Sequence, residues 1–237
     1  MNLLNHKDEK HTNGISRVTS TESHDINDIV LRTEHLSKIF ESKGDKILAL
    51  QDVNFTVKRG EFISIMGPSG SGKSTLLNII GALDRPTSGK VFINGFDIFS
   101  LDDSEIATMR NRLIGYVFQS YNLVNRTTVE MNVKLPAIIA GMSTSEANFR
   151  SMKILETLGI ADKAKQKPAN LSGGQQQRVA IARCLINNPA IILADEPTGN
   201  LDTKTGSDIF NMLKELSDKF RRTIIMVTHN PELAQST

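Results

Sequence analysis

The chain has 237 residues, 39% of them hydrophobic and 23% charged, with a formal net charge of +2. That balance suits one globular domain with a sizeable core and provides no bulk field to draw in nucleic acid or an anionic membrane. The lone cysteine, Cys184, excludes an intrachain disulfide and lies in an apolar helical stretch, where it reads as a buried thiol. No segment is long and apolar enough to cross a bilayer, so direct membrane insertion is not expected and spanning parts are expected to be separate chains.

Residues 1–28 are polar and poor in apolar side chains, which predicts a disordered tail. Residues 29–36 and 51–57 alternate as half-buried antiparallel strands do. Phe62 to Met66 is a continuous apolar run, followed by a glycine-rich turn and a helix from Thr75. Residues 90–95 form a strand ending in an Asn-Gly turn. Ile114 to Phe118 is a further strand, and residues 129–166 are mostly helical, within a lobe spanning about 120–172. A helix over 175–186 then precedes two more apolar runs, at 191–194 and 223–228. Continuous apolar strands separated by helices predict a mainly parallel sheet covered on both faces. The expected fold, over 29–237, is α/β: this sheet flanked by helices, with a small antiparallel β lobe and an inserted helical lobe.

Gly67-Pro68-Ser69-Gly70-Ser71-Gly72-Lys73-Ser74 fits the pattern G-x-x-x-x-G-K-[ST], with Thr75 leading into the helix. Glycines let successive backbone N–H groups turn inward onto phosphate oxygens, and the helix presents its positive end to the same anion. Lys73 is placed for the β- and γ-phosphates, and the Ser74 hydroxyl for Mg²⁺. By itself the motif says only that the chain handles nucleoside triphosphates. A second apolar strand ends in Asp195-Glu196. Delivered to the carboxyl end of a parallel sheet, Asp195 is expected to hold Mg²⁺, and Glu196 to act as general base toward the attacking water.

Leu171-Ser172-Gly173-Gly174-Gln175-Gln-Gln-Arg178 opens the next helix. It resembles the signature sequence of ABC ATPases, and other motifs follow in the order of that family. Gln119 resembles the Q-loop glutamine, residues 199–202 ending in Asp202 resemble the D-loop, and His229 resembles the switch histidine. Phe40 stands where the family places an aromatic that stacks on adenine, although packing within the β lobe would equally use it. The resemblance covers residue 29 to the C-terminus and implies an ATPase that uses ATP and Mg²⁺ and dimerises around two ATP molecules. Ser172, Gly173, Gly174 and Gln175 would then cover the γ-phosphate of the partner copy's ATP. Gln119 would touch Mg²⁺ or the attacking water, Asp202 would meet the partner's P-loop region, and His229 would donate to the γ-phosphate. Membrane subunits in separate chains would turn closing and opening into work.

Val117-Phe-Gln-Ser-Tyr-Asn-Leu123 and Leu193-Ala-Asp-Glu-Pro-Thr-Gly-Asn-Leu-Asp202 are similar to the lipoprotein-release and macrolide-export branch of the family. That resemblance implies a place on the cytoplasmic face of a membrane, with regulation of a cell-division complex as the alternative. Met131 departs from the branch, which carries Glu before Asn132-Val133, and the chain ends at Thr237, where relatives continue with another strand. An exposed sheet edge and lowered stability are expected from that end. DNA-repair and translation-factor relatives are disfavoured, because the stretch from Ser74 to Leu171 holds no sustained heptads and the chain no second ATPase unit.

Overall fold

The computed structural model describes residues 16–17, 28–42 and 45–237. Two sheets organise them. One is five-stranded, in the order β1(Ser16–Arg17), β4(Phe62–Met66), β9(Thr223–Val227), β8(Ile191–Asp195), β7(Ile114–Phe118). β4, β9, β8 and β7 run parallel, and β1 adds antiparallel at the β4 edge, Ser16 opposite Met66. Most of the polar segment 1–28, expected to be disordered, lies outside the described residues. The other sheet is antiparallel, in the order β3(Asp45–Lys58), β2(Ile29–Ser42), β5(Ser88–Ile93), β6(Phe96–Asp97).

The central strands are apolar over most of their length because both faces are covered. Ile191, Leu193, Ile225 and Val227 point into a core shared with β2, β3, β5 and the helix α1(Lys73–Ile80). Their neighbours Ile192, Ala194, Ile224 and Met226 point the other way, into a core built with helices. Those helices are α3(Val129–Ile139), α4(Thr144–Thr157), α5(Gly173–Leu185) and α6(Thr203–Phe220). Alternation by two thus assigns every second side chain to each core. α2(Asp103–Leu113) and α7(Pro231–Gln235) complete the helices. Cys184 is buried as expected, and burial pushes its thiol pKa up to about 12, so it packs as an inert apolar group.

Two differences from the sequence expectation have local causes. β3 begins at Asp45 rather than 51, because Lys46 to Leu50 pair with Lys38 to Glu41 of β2, although residues 45–48 are all exposed and do not alternate. α5 begins at Gly173, since Ser172 caps it through the Gln175 amide while Gln175 caps the Ser172 amide in return. α3 lies within the stretch expected to be helical and runs through Pro136, whose carbonyl accepts from both Asn111 and Asn187.

The helical lobe is fastened by an acid held among cations. Glu130 is buried, 3.2 Å from the Lys134 ammonium and 2.7 Å from that of Lys165. The Lys165 hydrogen bond, aided by Lys134, holds the Glu130 carboxyl below the usual glutamate range.

Candidate functional site

The carboxyl ends of the parallel strands gather the chemistry-bearing side chains. β4 leads into the loop 67–72, where Gly70 and Gly72 have φ of +80° and +87°. At Gly72 a side chain is excluded twice over. Its backbone is left-handed, and a Cβ would lie 2.3 Å from the Ala49 carbonyl oxygen on β3. The loop therefore lies directly against the β lobe.

α1 starts at Lys73 with Gly72 as N-cap and no side-chain cap, so its first amides have no side-chain partner. Lys73 is buried, and its ammonium donates to the Gly67 carbonyl at 2.9 Å and to the Pro68 carbonyl at 2.8 Å. The Ser71 hydroxyl is buried with no hydrogen-bond partner. Uncapped amides, a buried cation resting on carbonyls and an orphan hydroxyl together have the chemistry that suits an anion. Pro68, Ser69, Gly70 and Ser74 form its exposed rim, with Gly67 and Thr75 partly covered.

β8 delivers two acids next to it. The Ser74 hydroxyl donates to Asp195 Oδ1 at 3.3 Å, joining loop and strand. Burial pushes the Asp195 carboxyl above the usual range, with Glu196 adding repulsion and Ser74 and Lys73 acting the other way. Glu196 has φ +44°, a conformation few non-glycine residues adopt. Its Oε2 lies 3.0 Å from His229 Nδ1, at the end of β9.

Phe118 pairs with Asp195 across β7 and β8, so Gln119 emerges beside Glu196. Its amide donates to Asn200 Oδ1 at 3.2 Å, while Asn200 donates back to the Gln119 carbonyl at 3.0 Å. Gly199 closes this group, for a Cβ there would meet Gln119 Nε2 at 2.7 Å and Glu196 Oε2 at 3.2 Å.

Other expected residues stand apart. Ser172 is exposed at the start of α5, and Gly173 and Gly174 face Tyr121, Leu201 and Thr205 rather than the phosphate loop. Asp202 caps α6 through the Thr205 amide at 3.0 Å, and that bond lowers its carboxyl pKa. Phe40 is 41% exposed on the β lobe, with the Lys38 ammonium 4.9 Å from its ring centre.

A family model for ABC transporters matches residues 50–199, the stretch that carries the glycine-rich loop, Gln119, all of α5 and both acids. The chain belongs to the ABC transporter ATP-binding family. It is 53% identical over 196 residues to an uncharacterized ABC transporter ATP-binding protein of Thermotoga maritima, covering 83% of each. A macrolide export ATP-binding/permease protein, MacB of Vibrio parahaemolyticus, is 44% identical, and the match covers 88% of this chain but 32% of that protein. Among solved structures, the dimeric ABC transporter cassette MJ0796 of Methanocaldococcus jannaschii aligns with TM-score 0.80 at 47% identity, covering 86% of this chain and 90% of that one. A post-hydrolysis state of that cassette, bound to ADP and Pi, aligns equally well. The chain is accordingly an ABC ATP-binding cassette with ATPase activity.

Sequence reasoning did not single out Asn200 or Arg183. Arg183, on α5, donates to the carbonyls of Tyr121 and Asn122, consecutive residues with φ of +59° and +49°. Burial lowers the guanidinium pKa. Asn200 lies within residues 199–202, which resemble the D-loop. Both partnerships join segments more than sixty residues apart in sequence, which no local pattern encodes.

Proposed function

We propose that this cassette works as a pair of copies closed on two ATP molecules, driving separate membrane subunits from the cytoplasmic face. The observation that carries this reading is a divided set of anion sites. The phosphate loop, both acids and His229 converge, whereas the exposed Ser172 end of α5 makes its contacts elsewhere in the chain. A second copy can bring its Ser172 end over the first copy's phosphates, so that ATP completes each site. The dimer reported for MJ0796 supports this.

Within the site, Lys73 and the α1 amides bind and orient the phosphates, and Phe40 offers a ring face to the base. Glu196 takes a proton from the attacking water, and His229, bonded to Glu196, donates toward the γ-phosphate as charge moves onto the leaving oxygen. Ser74 and Asp195, with Gln119 nearby, provide the oxygen donors that suit Mg²⁺. That ion would neutralise charge on the β- and γ-phosphates.

The lobe formed by α3 and α4 exposes Ile138, Ile139 and Phe149, which suits docking to another protein, and no described helix is long and apolar enough to cross a membrane. The MacB relatives favour export over regulation of a cell-division complex. The test is ATP hydrolysis by the full chain with Mg²⁺, with EDTA, and with Lys73→Ala. Phosphate release that needs both Mg²⁺ and Lys73 is expected, and release indifferent to either overturns the site.

A further inference from the structure

Gln177 occupies a position that ordinary packing does not explain. It sits on α5 with no exposed surface, yet its Oε1 is buried without a hydrogen-bond partner. Leaving an amide oxygen dry is costly, and an aliphatic side chain would avoid that cost. Its Nε2, by contrast, is committed: it donates to the Pro197 carbonyl at 2.7 Å.

Pro197 follows Glu196, whose left-handed backbone must be held in place by its surroundings. β9 holds one side, with the Glu196 amide donating to the Val227 carbonyl at 3.0 Å. The turn holds the next, with the Gly199 amide donating to the Glu196 carbonyl at 3.0 Å. Gln177 holds the third point, and it alone of the three comes from α5. Ser172, the cap of that helix, is little more than one turn away. A helix is stiff over that length, so a displacement of its Ser172 end carries the Pro197 carbonyl with it.

We propose that Gln177 is a positioning residue for hydrolysis. Its amide sets the Glu196 carboxylate through the Pro197 carbonyl and ties that carboxylate to the seating of the Ser172 end of the same helix. The inference rests on Glu196 being the hydrolytic carboxylate. It adds that a copy whose Ser172 end has met nucleotide aligns its own Glu196.

The test compares steady-state ATP hydrolysis by wild type, Gln177→Met, Gln177→Glu and Glu196→Gln, each as the full chain. Methionine fills similar space without a donor. We expect kcat to fall by roughly 30- to 100-fold, the scale of a misplaced reacting group, with KM for ATP within about threefold. Glutamic acid can donate to Pro197 only while protonated, so the kcat of Gln177→Glu relative to wild type should fall as pH rises from about 6 to 9. The Gln177→Met ratio should stay flat over that range. If the methionine chain does not fold, the slope of the glutamate variant decides alone. A methionine variant with wild-type kcat, or a glutamate ratio flat with pH, overturns the role of Gln177. A fully active Glu196→Gln would instead overturn the reading of Glu196 itself.

Discussion

The nucleotide end of the sheet and the helical lobe are built on opposite terms. In the lobe, the helix starts and the buried charge are satisfied. Thr128 caps α3, Ser143 caps α4, and Glu130 has two lysines. At the nucleotide end the same rules are broken together. α1 lacks a side-chain cap, Ser71 keeps an unpartnered hydroxyl, Asp195 is desolvated, and Glu196 adopts a left-handed backbone. Natural sequences concentrate such violations where they act on a ligand. Substitutions at the two ends should therefore separate activity from stability.

The largest effect is expected from Glu196→Gln. Loss of the proposed general base should lower kcat by on the order of 10³-fold, or about 4 kcal/mol of barrier, in a phosphate-release assay. Folding stability should hold steady, since the amide keeps the shape of the carboxylate.

Glu130→Gln should do the reverse. We expect a loss of about 2–3 kcal/mol in urea unfolding, toward the low end for a buried pair because Lys165 is exposed and Lys134 keeps Asn148. The Glu130 pKa is lowered in the folded chain, so its contribution is complete above the ordinary value of 4.5 and fades as pH falls through the folded value. Wild type should thus lose its advantage over Glu130→Gln on acidification below pH 4.5.

Gly199→Ala sharpens the contrast within the active end. Gly199 is exposed and has no positive φ, so the alanine should change stability by under about 0.5 kcal/mol. Its Cβ would nonetheless displace Gln119 or Glu196, and kcat should fall roughly tenfold, or about 1.4 kcal/mol. Smallest is Ser143→Ala, where loss of the α4 cap should cost about 1 kcal/mol in the same unfolding experiment and leave hydrolysis unchanged.

The layers of the fold were legible because period and punctuation state them. Apolar runs such as Phe62–Met66 and Thr223–Val227 became central parallel strands, and the alternating run from Ile29 became part of the antiparallel sheet. The residues that gather around the phosphate loop were legible in type, since each motif lies at the end of a recognisable strand. Their cross-connections were not. Asn200 with Gln119, Gln177 with Pro197 and Arg183 with Tyr121 arise only when distant segments meet. Asp202 teaches the same point from another side: the structure gives it a helix-capping bond within its own chain, which the family pattern did not suggest.

The central claim is that ATP completes its site by joining two copies. It is tested most directly by light scattering of the Glu196→Gln chain with and without ATP, alongside the same chain carrying Ser172→Arg. Stalled hydrolysis should trap the closed state, giving the mass of one chain without ATP and of two with it, while Ser172→Arg stays at one chain although it still binds ATP. A Glu196→Gln chain that binds ATP and keeps the mass of one copy would contradict the account, as would Ser172→Arg pairing as readily as its parent.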